Sequence, residues 1–161
     1  MKGISRTVRR RRFEGKTDYK ARMSLLVSGK ARVVVRKTNK YIIGQIVAPN
    51  HAHDSIVVGV HSKELLAKGW PEKLHGSLKS LPAAYLTGYY LAKKSKQIHE
   101  GILDIGLQRT VPRSRIYAFV KGLQDGGFLI ACSADVLPDE KMLMHKDETG
   151  KLIKSIKESM K

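Results

Sequence analysis

The stretch ARVVVRKTNKYIIGQIVA, residues 31–48, contains two apolar runs separated by a short polar turn. The first run extends from Ala31 to Arg36 and the second from Lys40 to Ala48, with Thr38-Asn39 between them. Runs rich in β-branched residues on either side of such a turn are typical of a β-hairpin. A third run, from Ser55 to His61, follows a polar loop. The sequence therefore predicts an antiparallel meander of three strands.

After the meander, the apolar pattern changes to helical spacing. Leu81 to about Ile98 is the clearest helix, because Ser80 can cap it and Pro82 suits its first turn. A strand, a helix and a last strand follow over Ile102 to Ile105, Ser114 to Gln124 and Phe128 to Ala131. This order implies parallel pairing through right-handed crossovers. We predict a single-domain α/β fold with a mixed sheet, in which helices pack on the sheet faces.

The two ends of the chain differ from this body in composition. Near the N-terminus, a helix is predicted from Thr17 to Val27, where Thr17 or Asp18 can cap the first amides. The apolar residues that would share one face of it are Tyr19, Met23, Leu26 and Val27. We divide the chain into a basic extension, an α/β body and a polar tail in which Lys151 to Met160 fits a short final helix. The three parts cover residues 1–16, 17–137 and 138–161.

Positive charge is concentrated near the N-terminus. The 161 residues include 31 Lys and Arg against 14 Asp and Glu, a net charge of +17. Residues 1–40 hold 14 cations and two acids, or +12, whereas residues 41–140 hold 11 against 9, or +2. A nearly neutral body with a basic arm suits a folded scaffold that places cations on a polyanion. Most of the salt sensitivity of binding is therefore expected to reside in the first 40 residues.

The basic arm contains a cluster of arginines with aromatic residues among them. Arg9 to Arg12 follow Arg6, and Phe13 and Tyr19 lie nearby. Guanidinium groups pair bidentately with phosphate and stack on bases, and aromatic rings stack on the unpaired bases of RNA. A solvated charge run, a nuclear-localisation signal and a patch for anionic membranes are the alternatives. The membrane alternative lacks an apolar face, and a cytoplasmic RNA-binding protein is predicted.

The sequence predicts no catalytic or metal site. His51 and His53 lie in a predicted loop without a third ligand at a suitable spacing. Cys132, the single cysteine, is expected in the core. A metal-dependent nuclease is an alternative, because Asp104 lies inside a predicted strand. Asp104 is instead expected to pair with an arginine such as Arg109 or to cap a loop.

Several blocks of the chain resemble one family. RRRRFEGKTDYKARMSLL, residues 9–26, and RVVVRKTNKYIIGQI, residues 32–46, are similar to the archaeal and eukaryotic type of large-subunit ribosomal protein L-eighteen. Further matching blocks follow in the order of the family: HSKEL at 61–65, LPAAYLTG at 81–88, ILDIGLQR at 102–109 and RIYAFVKGLQDGG at 115–127. The resemblance implies an α/β body with a mixed sheet and a basic N-terminal extension.

The resemblance also implies a function. It is that of a structural, non-enzymatic constituent of the large ribosomal subunit that binds 5S rRNA and helps attach it in the central protuberance. The large-subunit rRNA and neighbouring ribosomal proteins are the other expected partners, with no cofactor, small-molecule substrate or membrane. A non-ribosomal RNA-binding accessory factor is the alternative. The expected RNA contacts are Arg6, Arg9, Arg10, Arg11, Arg12, Lys16, Thr17, Tyr19, Lys20, Arg22, Arg32, Arg36, Lys37, Asn39 and Lys40.

Overall fold

A five-stranded mixed sheet organises the protein. The computed structural model describes residues 8, 10–49, 54–144 and 147–160. The strands lie in the order β3-β2-β1-β4-β5, with β1–β2 and β2–β3 antiparallel and β1–β4 and β4–β5 parallel. Their bounds are β1 Arg32–Lys37, β2 Ile42–Pro49, β3 Asp54–His61, β4 Glu100–Asp104 and β5 Leu129–Ile130. The predicted meander, the parallel pairs and the α/β class are confirmed.

Among the described residues there are six α-helices, two of which begin with a side-chain cap. The Oδ1 of Asp18 accepts from the amides of Lys20 and Ala21, and Ser80 caps its helix through the amide of Ala83. The helices are α1 Arg10–Phe13, α2 Tyr19–Val27, α3 Leu81–Lys94, α4 Arg115–Asp125, α5 Glu140–Leu143 and α6 Asp147–Glu158. Short 3₁₀ helices cover Ser62–Lys68, Glu72–Ser77 and Ala134–Val136. Within the described residues, none of the helices has the length and apolar character that a bilayer crossing needs.

The central strand β1 separates an apolar face of the sheet from a charged one. Val33 and Val35 are buried in the core, and the alternating residues Arg32 and Arg36 point to the opposite face. Arg32 lies opposite Val47 on β2 and Ile102 on β4. Because side chains alternate along a strand, one face of β1 supports the core and the other supplies charged groups.

Helices α3 and α4 cross at very short range on the apolar face. A Cβ at Gly122 would overlap the carbonyl oxygen of Tyr85, and one at Gly88 would overlap that of Phe119. These glycines therefore permit backbone contact between the two helices. Helix α6 adds Ile153 and Ile156 to the same core.

Three local predictions need correction. The predicted apolar face of α2 is not packed, since Met23 is 63% and Val27 77% exposed and the helix buries none of its residues. The helix that begins at Leu81 ends at Lys94, because Ser95 adopts an extended conformation and its hydroxyl donates to the Ile98 carbonyl. Cys132 is half-buried at the edge of the core, and burial raises the pKa of its thiol.

Candidate nucleic-acid interface

Five charged side chains of alternating sign form a continuous row of ion pairs across the charged face of the sheet, which we call the charge chain. Arg22 Nη2 lies 2.6 Å from Asp54 Oδ2, and Arg32 Nη2 lies 2.6 Å from Asp54 Oδ1. Arg32 Nη1 continues the chain to Asp104 Oδ2 at 3.2 Å, and Arg36 Nη2 lies 3.1 Å from Asp104 Oδ1. The charge chain links helix α2 and strand β3 to strands β1 and β4.

Arg32 occupies the middle of this chain and is withdrawn from the set of RNA contacts. It is only 2% exposed, and both of its Nη atoms are bound to carboxylates. A buried cation needs such partners because removing it from water is costly. The prediction of an RNA contact therefore does not fit Arg32, which joins the sheet internally.

Asp104 is fully engaged by its own neighbours. Its partners are Arg32 and Arg36, and its Oδ1 also accepts from the amide of Gly106. The expectation of an arginine partner and of a loop cap is met, but the arginine suggested from the sequence, Arg109, is not the partner. Because Asp104 already pairs with two guanidinium groups, the structure gives no support for its role in a nuclease site.

The charge chain also affects Asp54. Partial burial acts to raise the pKa of its carboxyl, but the hydrogen bonds and charges of Arg22 and Arg32 outweigh it and hold the pKa below the usual value of 3.8. Asp54 is thus a carboxylate at any physiological pH and keeps Arg22 close to the sheet.

A cavity of about 710 Å³ lies between the N-terminal helices and the loop after β4. Helices α1 and α2 with their connection form one wall, and β1 with residues 103–108 forms the other. Its cationic side chains are Arg11, Lys16, Arg22 and Arg36; its acids are Asp18 and Asp104. Asp18 caps α2 and Asp104 pairs with Arg32 and Arg36, so both carboxylates already have partners within the protein. We call this cavity the N-terminal basic cavity.

Local contacts order the wall formed by α1 and its connection to α2. Arg11 Nε donates to Thr17 Oγ1 at 2.9 Å. Glu14 pairs with Arg10 at 2.9 Å and with Lys16 at 2.8 Å. Gly15 has a φ of 62°, which turns the chain between the two helices. Thr17 and Arg11 therefore meet at the cavity.

The sequence-predicted RNA contacts fall into separate groups. The structure brings Arg11, Lys16, Thr17, Arg22 and Arg36 together around the N-terminal basic cavity. Other predicted residues lie elsewhere on the surface: Arg10, Arg12, Lys20, Lys37, Asn39 and Lys40 are exposed, and Tyr19 is half-buried. Arg6 and Arg9, like His51 and His53, lie outside the described residues.

A second cavity, of about 580 Å³, contains cations that the sequence prediction missed. Lys37 lies in its wall together with Arg109, Arg113 and Arg115. A usable signal was present, because RTVPRSR, residues 109–115, places three arginines without an acid between a strand and a helix. We call this cavity the α4 cavity, after the helix whose first residues line it.

The part of the chain that the structure describes contains no group of three or more His, Cys, Asp or Glu side chains placed to hold a metal ion. The polar groups of the two cavities are mainly guanidinium and ammonium groups. They suit the binding of phosphate, for which arginine offers a planar fork and lysine a point charge.

Comparison of the sequence with known proteins finds a matching family model and several relatives. The family model described as ribosomal large subunit proteins 60S L5 and 50S L18 matches residues 5–101. A relative from Methanoculleus marisnigri is 49% identical over 136 residues, covering 83% of this chain and 75% of the relative. One from Korarchaeum cryptofilum is 49% identical over 133 residues, covering 81% and 66%. One from Methanoregula boonei is 38% identical over 157 residues, covering 92% and 88%. All three are named large ribosomal subunit protein uL18.

Proposed function

The chain belongs to the family of ribosomal large subunit proteins 60S L5 and 50S L18, and from this premise we propose that it binds 5S rRNA and helps attach it in the central protuberance. It is a structural, non-enzymatic component of the large ribosomal subunit of archaeal type. The predicted family and the predicted place in the large ribosomal subunit are confirmed. Binding of 5S rRNA is the finer step that we argue here from the basic cavities.

The observation that carries the proposal is the N-terminal basic cavity. Four cations, from α1, the α1–α2 connection, α2 and β1, line it against two acids. Lys16, Arg22 and Arg36 are ion-paired within the protein, and Arg11 is held only through its Nε. A polyanion gains from such a cavity because each phosphate contact releases condensed counterions. Long cationic side chains line the cavity beside apolar ones such as Leu25, Leu103 and Leu107.

Different residues supply different parts of the interaction. Arg11 keeps its Nη atoms for a phosphate fork while its Nε is held by Thr17. Arg22 and Arg36 are held by Asp54 and Asp104, so they contribute positively charged walls at fixed positions. The exposed cations of α1 and of the β1–β2 turn, including Arg10, Arg12 and Lys40, are proposed to contact the large-subunit rRNA.

A filter-binding titration with 5S rRNA over a series of salt concentrations tests the proposal. The double variant Arg11→Gln with Lys16→Gln removes two cations from the cavity and should lower the salt slope by about 1.5, since each lost phosphate contact lowers it by roughly 0.7 to 0.9. The matched control, Lys151→Gln with Lys154→Gln, removes the same charge from exposed positions of α6. Equal slopes for the two variants would contradict the proposal.

The family speaks against the alternative of a non-ribosomal accessory factor, and a high-salt wash tests it directly. A resident ribosomal protein should remain with intact large subunits after a high-salt wash, and an accessory factor should be released. Release of the whole chain at a salt concentration that leaves other large-subunit proteins bound would favour the accessory factor.

A further inference from the structure

We propose that the α4 cavity is a preformed binding site for one backbone phosphate of an RNA strand, with an adjacent ribose hydroxyl held in the same cavity. The site consists of Lys37, Gln108, Arg109, Ser114 and Arg115, with Arg113 beside them. It shares Gln108 with the N-terminal basic cavity but none of that cavity's basic side chains. The RNA component of the proposal rests on the proposed function, whereas phosphate binding by the cavity does not.

The charge of the α4 cavity points to an anion. Four cations line it and no Asp or Glu does. Lys37, Arg109 and Arg115 form no ion pair with any described residue, and Arg113 only reaches Asp139, at 3.9 Å. Four cations in one cavity repel one another unless an anion lies between them. The N-terminal basic cavity differs, since two carboxylates offset part of its charge.

Two buried polar atoms of the cavity wall lack partners. Among the described side chains, only three buried nitrogen or oxygen atoms have no hydrogen-bond partner, and two of these are Ser114 Oγ and Gln108 Oε1. Gln108 lies between the two cavities and lines both of them. Such atoms are costly to bury without a partner. A hydroxyl at Ser114 can donate to a phosphate oxygen. The carbonyl oxygen of Gln108 needs a donor instead, which a ribose 2′-hydroxyl supplies and a phosphate does not.

The first turn of α4 supplies further donors. Ser114 is the N-cap residue, yet its side chain accepts no hydrogen bond from the helix, whereas Asp18 and Ser80 cap α2 and α3. The first amides of α4 therefore lack a side-chain acceptor. Arg115 stands at the first helical position, where the helix dipole disfavours a cation. A bound phosphate would accept hydrogen bonds from these amides. Its negative charge would also offset the repulsion between Arg115 and the positive end of the helix dipole.

The elements that carry the site are rigidly packed. Ile116 and Phe119 of α4 are buried, and Gly122 brings the helix into backbone contact with α3. Lys37 ends the central strand β1. The backbone positions of Lys37 and Arg115 are thus set before binding, so a phosphate would be bound with little ordering of the main chain at these two residues.

A titration of the whole chain with inorganic phosphate, followed by amide NMR shifts, tests the anion site without RNA. The amides of Arg115, Ile116 and Tyr117 should shift and saturate in the wild-type chain. In the double variant Arg109→Gln with Arg115→Gln they should not, although its remaining spectrum should match that of the folded wild type. Shifts at these amides no larger than those beside Lys151 and Lys154 would overturn the site.

The second arm measures 5S rRNA binding by the same variant over a salt series. Loss of the phosphate contact should lower the salt slope by about 1, whereas Lys151→Gln with Lys154→Gln should leave it unchanged. Gln108→Ala should weaken binding to RNA and have no effect on binding to the same sequence made as DNA. If inorganic phosphate binds but the salt slope of the arginine variant is unchanged, the RNA assignment is wrong and the cavity serves a free phosphate compound.

The two proposals can fail separately. A wild-type chain that does not bind 5S rRNA contradicts the proposed function, and the titration with inorganic phosphate then still decides whether the α4 cavity holds an anion. A wild-type chain that binds 5S rRNA with a slope independent of Arg109 and Arg115 contradicts only the further site.

Discussion

Arg32 on the central strand lies 3.2 Å from Asp104 on its parallel neighbour, and both side chains are buried where the two strands meet. The pair joins residues 72 positions apart in the chain. Each partner holds a second opposite charge, Asp54 for Arg32 and Arg36 for Asp104. Arg32 thus stabilises the sheet, although it lies in the most basic part of the sequence. The surface available to RNA lies around this buried residue and does not include it.

Replacing Arg32 by Met should destabilise the protein by about 3 kcal/mol, because Asp54 and Asp104 each lose a partner that lies in the interior. Urea unfolding followed by circular dichroism measures the change. Arg36→Gln is the comparison, since Arg36 is 40% exposed and its pair with Asp104 should contribute about 1 kcal/mol or less. Equal losses in the two variants would show that burial does not set the strength of these pairs.

The stability should depend on pH through Asp54. Its pKa is held below 3.8 in the folded chain, so its contribution is complete above that value and is lost as pH falls through the folded pKa. The free energy of unfolding should therefore decrease less steeply below pH 4 in Asp54→Asn than in the wild type. Urea unfolding at several pH values between 5 and 2 provides the measurement, and Glu158→Gln provides an exposed control. Parallel curves for wild type and Asp54→Asn would contradict the role of the Arg22 and Arg32 pairs.

Gly122→Ala should destabilise the chain by roughly 3 kcal/mol or prevent folding, because the added Cβ would overlap the carbonyl oxygen of Tyr85. Backbone of a packed helix cannot move aside as a flexible side chain can. Gly76→Ala is the matched control, since a Cβ there meets nothing within 4 Å. Thermal unfolding measures both, and similar melting temperatures for the two variants would contradict the close crossing of α3 and α4.

Removing residues 1–16 should weaken binding to 5S rRNA strongly and leave the body folded. The segment holds seven Lys and Arg, and α1 buries none of its residues. Filter binding measures the affinity, and circular dichroism checks that the helix content of the body is retained. Unchanged affinity after truncation would contradict a role for the N-terminal wall of the cavity.

A longer truncation would disrupt the fold. Deletion of the first 40 residues would remove β1, which lies between β2 and β4, so the sheet would lose its central strand. The share of salt sensitivity carried by residues 17–40 is better measured with Arg22→Gln and Lys37→Gln. These side chains are at least partly exposed, and their replacement keeps the strand.

The sequence alone determined the five strands, the helices α2, α3, α4 and α6, and most of the strand pairing, whereas the short helices α1 and α5 were not predicted. The β-branched runs of 31–61 predicted the meander, and the helical spacing between later strands predicted the parallel pairs. The cap at Asp18 was also predictable, because a capping side chain contacts amides only two and three residues away. The cap and the meander depend on residues that are close together in the chain. The parallel pairs follow from the right-handed crossover rule, which holds for most folds.

Only the tertiary structure decided which cations are available to a ligand. Arg32 and Lys37 belong to the same basic run, yet one is buried between two carboxylates and the other is exposed. Arg109 and Arg115 join Lys37 in one cavity although they lie 72 and 78 positions after it in the chain. The physical reason is that charge state and availability depend on distances of a few ångströms between elements, which packing sets and local periodicity does not contain.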